Sequence, residues 1–247
     1  MTPVNNPPTT GAVGDSYSVL EDGTLTVAEP GVLANDSDVD ADALRAILIS
    51  RPSDGTLVLN ANGSFIYVPG ANYFGPDSFT YAANDGRADS LPAVVNLTVL
   101  PVNDAPSFTN GGDQKVDQNA AAQTVPNWAK SISAGPANES DQTLTFSVWS
   151  DDYSLFSVQP SIAPNGTLTY TPAENIFGVA MLHVTLRDSG GTENGGVETS
   201  SEAVFRIVVN SPPAVSIVSS CRPPTAARWC LRPHSASLPA PAIPTGR

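Results

Sequence analysis

Apolar and polar residues alternate over short stretches along most of this chain. Leu182, Val184 and Leu186 alternate with His183, Thr185 and Arg187, and Phe205, Ile207 and Val209 alternate with Val204, Arg206 and Val208. A period of two sends one set of side chains to a buried face and the other to water, as a strand in a two-layer sandwich requires. Segments of this kind, separated by Gly, Pro, Asn and Asp, predict strands at 15–20, 24–28, 44–50, 55–60, 64–68, 78–84 and 93–100. A second set is predicted at 114–117, 122–125, 143–149, 154–158, 167–171, 180–187 and 201–209. No run of Ala, Glu, Lys and Leu recurs at helical spacing, so very little helix is expected.

The two sets are copies of one unit. Asn62-Gly63-Ser64-Phe65-Ile66-Tyr67-Val68-Pro69 answers Asn165-Gly166-Thr167-Leu168-Thr169-Tyr170-Thr171-Pro172 at an offset of 103. The same offset relates Asn72-Tyr73-Phe74-Gly75 to Asn175-Ile176-Phe177-Gly178, and Asp85 to Asp188. In each copy Asn-Gly predicts a tight hairpin with positive φ angles, and the run after it the return strand. Three Pro-bounded segments punctuate the copies: Pro3 to Pro8, Pro101-Val102-Asn103-Asp104-Ala105-Pro106, and Val209 to Pro213. Proline stiffens an extended connection and cannot continue a ladder, so these mark junctions. The reading is a linker over 1–8, a sandwich over 9–102, a junction over 103–106, a sandwich over 107–210 and a remainder over 211–247. Seven strands per unit predict an all-β class of tandem immunoglobulin-like sandwiches.

Composition changes this picture chiefly through charge. Formal net charge is −13 over 247 residues, and residues 1–220 alone carry −17. A surface so acidic and so poor in Lys repels nucleic acid and anionic lipid; cations are its natural partners. Both cysteines, Cys221 and Cys230, fall in the last segment, so the sandwiches cannot rest on disulfides and core burial must hold them, with metal as a candidate addition. No stretch reaches the length of a membrane span, and the N-terminus has neither the basic start nor the apolar run of a signal peptide. As given, the chain has no export signal of its own, which argues for a fragment at least as much as for a cytosolic protein.

These residues resemble the cadherin-like tandem-repeat modules, including VCBS-type repeats, of large bacterial surface and secreted proteins. The resemblance is carried by Glu21-Asp22-Gly23-Thr24-Leu25, by Pro30-Gly31-Val32-Leu33-Ala34-Asn35-Asp36, by Asn72 through Tyr81, and by the Pro101–Pro106 junction. It implies an extracellular or cell-surface location, long arrays, stiffening by calcium, and a role in adhesion or structural extension. Neighbouring repeats, and cell-surface proteins or glycans, are the implied partners.

The densest acidic segment, Asn35-Asp36-Ser37-Asp38-Val39-Asp40-Ala41-Asp42, sets four carboxylates at alternate positions. Their mutual repulsion becomes favourable around a divalent cation, and Ca2+ suits a set of Asp, Asn and backbone oxygens. An EF-hand fails the count: starting at Asp36 puts Ala41 at the glycine position and Ile47 at the bidentate glutamate. By the family resemblance, calcium also sits between modules, with Asn103 and Asp104 from the junction and Glu139 and Asp141 from the second module as ligands. Against these readings, Asp and Asn also cap turns without metal, which is the simpler account of isolated cases such as Asp54, Asp85 and Asp188.

No catalytic residues are identified. There is no nucleophile elbow, zinc-protease helix or phosphate loop, and His183 is expected on the wetted side of its strand. A sugar-binding face drawn from Trp128, Trp149, Tyr73 and Phe74 is an alternative function, as is an appendage of an exported enzyme. Residues 221–247 lack any periodicity and read as a disordered, truncated or out-of-frame end.

Overall fold

The alternating segments pair into sheets in the computed structural model, which describes residues 4–11 and 14–211. In the first half the strands are β1 Ser16–Leu20, β2 Leu25–Val27, β3 Arg45–Ser50, β4 Gly55–Leu59, β5 Phe65–Pro69, β6 Gly75–Asn84 and β7 Ala93–Leu100. One sheet runs β1-β7-β6-β3 and the facing sheet β2-β5-β4. β1 lies parallel to β7, and the other pairs are antiparallel. Phe65, Tyr67, Phe79, Tyr81, Val95 and Leu97 fill the space between the sheets, the inward set of three alternating strands.

The second half adds β8 Ser107–Thr109, β9 Gln114–Asp117, β10 Gln123–Val125, β11 Lys130–Ser133, β12 Thr145–Ser150, β13 Phe156–Ile162, β14 Leu168–Pro172, β15 Gly178–Arg187 and β16 Ala203–Asn210. Its sheets, β9-β16-β15-β12 and β10-β14-β13, repeat the first order, again with a parallel pair, β16 with β9. Leu182, Val184, Leu186, Phe205, Ile207 and Val209 are buried, as their alternation predicts, and all of them except Leu186 belong to one core cluster with Trp128, Leu155 and Tyr170.

Two strands are not among the predicted segments. β8 and β11 form a small separate ladder. Its register shifts between Lys130 and Ser133, and Ser131 has a φ of +49°, so a bulge breaks the alternation that would announce β11. β13 also runs on to Ile162, past the predicted end at 158.

The Asn-Gly turns differ from the expected hairpin in one respect. Only the glycines, Gly63 at φ +83° and Gly166 at +82°, have positive φ. Asn62 Oδ1 instead accepts the Ser64 N–H at 3.1 Å, and Asn165 Oδ1 the Thr167 N–H at 3.1 Å, so each Asn caps a longer turn closed by the glycine. Gly63 O then receives the Val32 N–H, tying this turn to the 3-10 turn Gly31–Leu33 that leads into the acidic loop. Side chains are excluded on steric grounds too: a Cβ at Gly63 would stand 1.9 Å from Pro30 O, and one at Gly166 2.2 Å from Ala129 O.

Both sandwiches belong to one compact unit that ends at Pro212. The expected disordered tail, with Cys221 and Cys230, lies outside the described residues. Among the described residues no helix is long and apolar enough to cross a membrane.

Candidate functional site

The junction segment crosses between the sandwiches and is gripped from both. From the first sandwich Glu21, at the end of β1, accepts the Val102 N–H through Oε1. From the second, Glu139 Oε1 accepts the Asp104 N–H at 3.0 Å. Asn103 is buried: its amide donates to Asp188 Oδ1 at 3.1 Å and to Val197 O at 2.8 Å, while its Oδ1 accepts from Gln142 Nε2 at 2.8 Å. Asn138 Nδ2 reaches back to Glu21 Oε2 at 3.4 Å, which joins the two sandwiches side chain to side chain. A cavity of about 190 Å³ opens among Glu21, Phe74, Asn103, Glu139 and Gln142.

Glycines make this packing feasible. A Cβ on Gly190 would fall 1.6 Å from Asn103 Oδ1, and one on Gly135 1.8 Å from Glu139 Oε2. Neither position requires a left-handed backbone; each is a close approach that no side chain could share.

Three acceptor atoms here are buried with no hydrogen-bond partner: Glu139 Oε2, Asp188 Oδ2 and Gln142 Oε1. Glu21, Glu139 and Asp188 are 4%, 7% and 4% exposed, so three carboxylates are largely withdrawn from water at one joint. Burial, and then the charges of Asp104, Asp188 and Glu21, hold the Glu139 carboxyl above its ordinary value, although the Asp104 N–H opposes the shift. Buried acceptors without donors are costly, and a cation is the partner that satisfies several at once. A hard divalent ion taking carboxylate, amide and backbone oxygens fits this donor set; soft metals find no thiolate here. Among the described residues, no three His, Cys, Asp or Glu side chains already converge as a metal cluster.

The upstream end of the first sandwich repeats part of this arrangement. Asn5 Nδ2 donates to Asp85 Oδ2 at 2.8 Å, as Asn103 does to Asp188, and Asn6 N–H donates to Asp40 Oδ2 at 2.7 Å, as Asp104 does to Glu139. The four carboxylates of the acidic loop serve different contacts. Asp36 accepts the Gly11 N–H and the Tyr81 hydroxyl, and Asp38 Oδ1 accepts the N–H groups of Asp40 and Asp42 while its Oδ2 is buried without a partner. Asp42 lies near Asp40, Asn5 and Arg87 around a second cavity. Burial and the Asp36 charge together push the Asp15 carboxyl up, a shift that its bond from Tyr81 partly offsets.

Of the residues the resemblance implies, Asn103, Asp104 and Glu139 lie in one hydrogen-bonded group, while Asp141 is exposed and outside this hydrogen-bond network. Glu21, Gln142 and Asp188 join them and were not singled out as ligands. The 103-residue offset pairing Asp188 with Asp85, and the 98-residue spacing pairing Asn103 with Asn5, are the signals that could have found Asp188. Arg187 does not neutralise the site, because strand alternation turns it outward to Glu198 at 2.8 Å.

The aromatic residues considered for a sugar-binding face do not assemble into one. Trp128 is core, and the Tyr73 hydroxyl donates to Pro76 O. Trp149 is exposed on β12 and stacks on His183, ring centroids 3.7 Å apart. His183 is therefore more covered than its wetted position suggests; its Nδ1 lies 3.0 Å from Glu202.

Residues 5–101 match the bacterial cadherin-like domain family. Among solved structures, the EC1-2 fragment of human protocadherin-24 is 16% identical with a TM-score of 0.57, over 83% of this chain and all of that one. EC22-24 of mouse cadherin-23 is 18% identical at a TM-score of 0.50, covering 84% and 67%. At such identities the likeness is one of fold. Among curated proteins, "Extracellular matrix protein 3" of Lytechinus variegatus is 27% identical over 169 residues, which is 60% of this chain and 5% of that protein. "Integrin beta-like protein A" of Dictyostelium discoideum is 29% identical over 87 residues, 29% of this chain and 4% of that protein.

Proposed function

From residues 5–101 as a bacterial cadherin-like domain, we propose that the chain is an extracellular repeat segment in which calcium stiffens the joint between two sandwich modules, 9–102 and 107–210. Its role is structural extension and adhesion in a larger surface or secreted protein. The observation that carries this reading is the set of buried, unpartnered oxygens on Glu139, Asp188 and Gln142 at the one place where both modules grip the connecting segment.

Glu21, Asn103, Asp104, Glu139, Asp188 and Gln142 would hold the ion, with Asp141 at the margin. When bound, calcium supplies positive charge that cancels the repulsion among these carboxylates. Because the ligands come from both modules and from the linker, binding resists bending of the joint. At the upstream end, Asp36, Asp38, Asp40 and Asp42 with Asn5 and Asp85 would serve the matching joint to a preceding repeat. The acidic surface favours cations and disfavours nucleic acid.

Calcium titration calorimetry on the full chain tests the reading, with Glu21→Gln as the comparison. Glu21 belongs to the first module, so its loss should weaken binding at least tenfold if the site spans the joint. Wild-type affinity in Glu21→Gln would remove the joint as the site.

A further inference from the structure

The loop Asn72-Tyr73-Phe74-Gly75 has a counterpart in the second module, Asn175-Ile176-Phe177-Gly178, yet the shared phenylalanine meets different surroundings in each. Phe74 lines the junction cavity together with Glu21, Glu139 and Gln142 and is 46% exposed; Phe177, its counterpart, is 60% exposed. The backbone is held alike in both. Asn72 has φ +55° and its N–H donates to Asp22 Oδ1 at 3.0 Å, while Asn175 has φ +58° and donates to Asn119 Oδ1 at 2.7 Å. Asp22 directly follows Glu21, whose N–H bonds Leu100 O; in the second module Gln118 occupies that place, with its N–H on Asn210 O. The first module thus couples its aromatic loop to a carboxylate through one residue, whereas the second has the loop and an amide.

We infer that Phe74 is a positioning residue of the junction site: its ring walls the cavity, and the Asp22–Asn72 bond keeps that ring in register with Glu21. An apolar wall displaces water from the carboxylates, which strengthens their attraction for a cation and slows its escape. Phe177, whose module has Gln118 at the place of Glu21, is the more exposed of the two rings. This role rests on the calcium reading above.

The test compares Phe74→Ala, Phe74→Leu and Phe177→Ala with wild type in the full chain, by calcium calorimetry and by stopped-flow calcium release into a chelator. Phe74→Ala should lower affinity about tenfold, chiefly through faster release, as loss of a supporting neighbour does at other metal sites. Phe74→Leu should recover most of the loss, and Phe177→Ala should leave both quantities at wild-type values. Both alanine variants should melt alike without calcium, because both side chains are partly exposed. Wild-type release from Phe74→Ala, or equal losses from both alanine variants, would overturn the role while leaving calcium binding intact. A wild-type chain that binds no calcium would overturn the calcium reading and this role together.

Discussion

Glu139 gives one carboxylate oxygen to the backbone N–H of Asp104, at 3.0 Å, and keeps the other buried without a donor. The first contact fixes the linker to the second module; the second leaves a buried carboxylate oxygen that no protein donor meets. In the calcium-free chain this charge, beside Asp104, Asp188 and Glu21, opposes folding. Glu139→Gln should therefore raise the calcium-free Tm by about 2–4 °C, a gain near 1 kcal/mol for a chain of this size, and lower calcium affinity at the same time. Differential scanning calorimetry in chelator, paired with calorimetric titration, measures both. A variant less stable without calcium would contradict this account of the buried oxygen.

Asp77 offers the opposite pH behaviour. Its carboxylate is nearly buried, which by itself would raise its pKa, but the Tyr67 hydroxyl and the N–H groups of Ser78, Ser53 and Asp54 outweigh burial and hold it below the ordinary aspartate value. A carboxyl whose pKa falls on folding stabilises the native state above its unfolded pKa, and that contribution is lost as pH falls through the folded value. Stability should thus decline below the ordinary aspartate range, and Asp77→Asn should flatten the decline while costing about 2 kcal/mol at neutral pH through lost charged hydrogen bonds. Urea unfolding between pH 7 and pH 2 follows both effects. The second module has Ala180 at the equivalent position and no such clamp.

The turn glycines separate two kinds of constraint. Gly63 combines φ +83° with a backbone oxygen where its Cβ would stand, whereas Gly86 has φ +95° and open space around it. Gly86→Ala should cost only the strain of a left-handed residue, roughly 1–2 kcal/mol. Gly63→Ala should cost clearly more and loosen the Val32 contact that leads to the acidic loop. Thermal melts of the two variants give the comparison, and equal losses would mean that the turn relaxes freely.

An exposed ion pair provides the contrast. Arg187 and Glu198 are bonded at 2.8 Å, with 60% of the arginine side chain in water. Arg187→Ala should change stability by less than about 0.5 kcal/mol and leave calcium binding close to wild type, because the guanidinium is paired with Glu198 and largely in water. Calorimetry on this variant checks whether Arg187 contributes to the site field.

The strands were legible because burial on one face imposes a period of two, as Leu182, Val184 and Leu186 illustrate. β11 was not, since a bulge breaks its alternation, and β8 was not, although β2 and β10 are equally short and were legible. The candidate site was half legible. Asn103, Asp104 and Glu139 lie in segments marked by prolines and acids, but Glu21 is 82 positions from Asn103 and reaches the linker only because β1 runs parallel to β7, which pairs Leu20 with Leu100 and sets Glu21 against Val102. Asp188 read as a turn former because its neighbours are turn residues; its burial follows from Asn103 filling the space left by Gly190. Charge density pointed to the 36–42 loop, whereas withdrawal from water, which a linear sequence does not display, points to the junction.

Calcium-dependent melting of the full chain tests the central claim most directly, comparing wild type with Glu139→Gln plus Asp188→Asn and with Asp38→Asn plus Asp40→Asn. Ligand held by the folded state stabilises it by about 2.7 kcal/mol at a hundredfold excess over Kd, so Tm should climb steadily with calcium. Wild type should show that climb, the 38/40 variant should keep most of it, and the 139/188 variant should start from a higher calcium-free Tm and show almost none. A wild-type Tm indifferent to calcium, or an undiminished climb in the 139/188 variant, would contradict a calcium joint at Asn103 and Asp104.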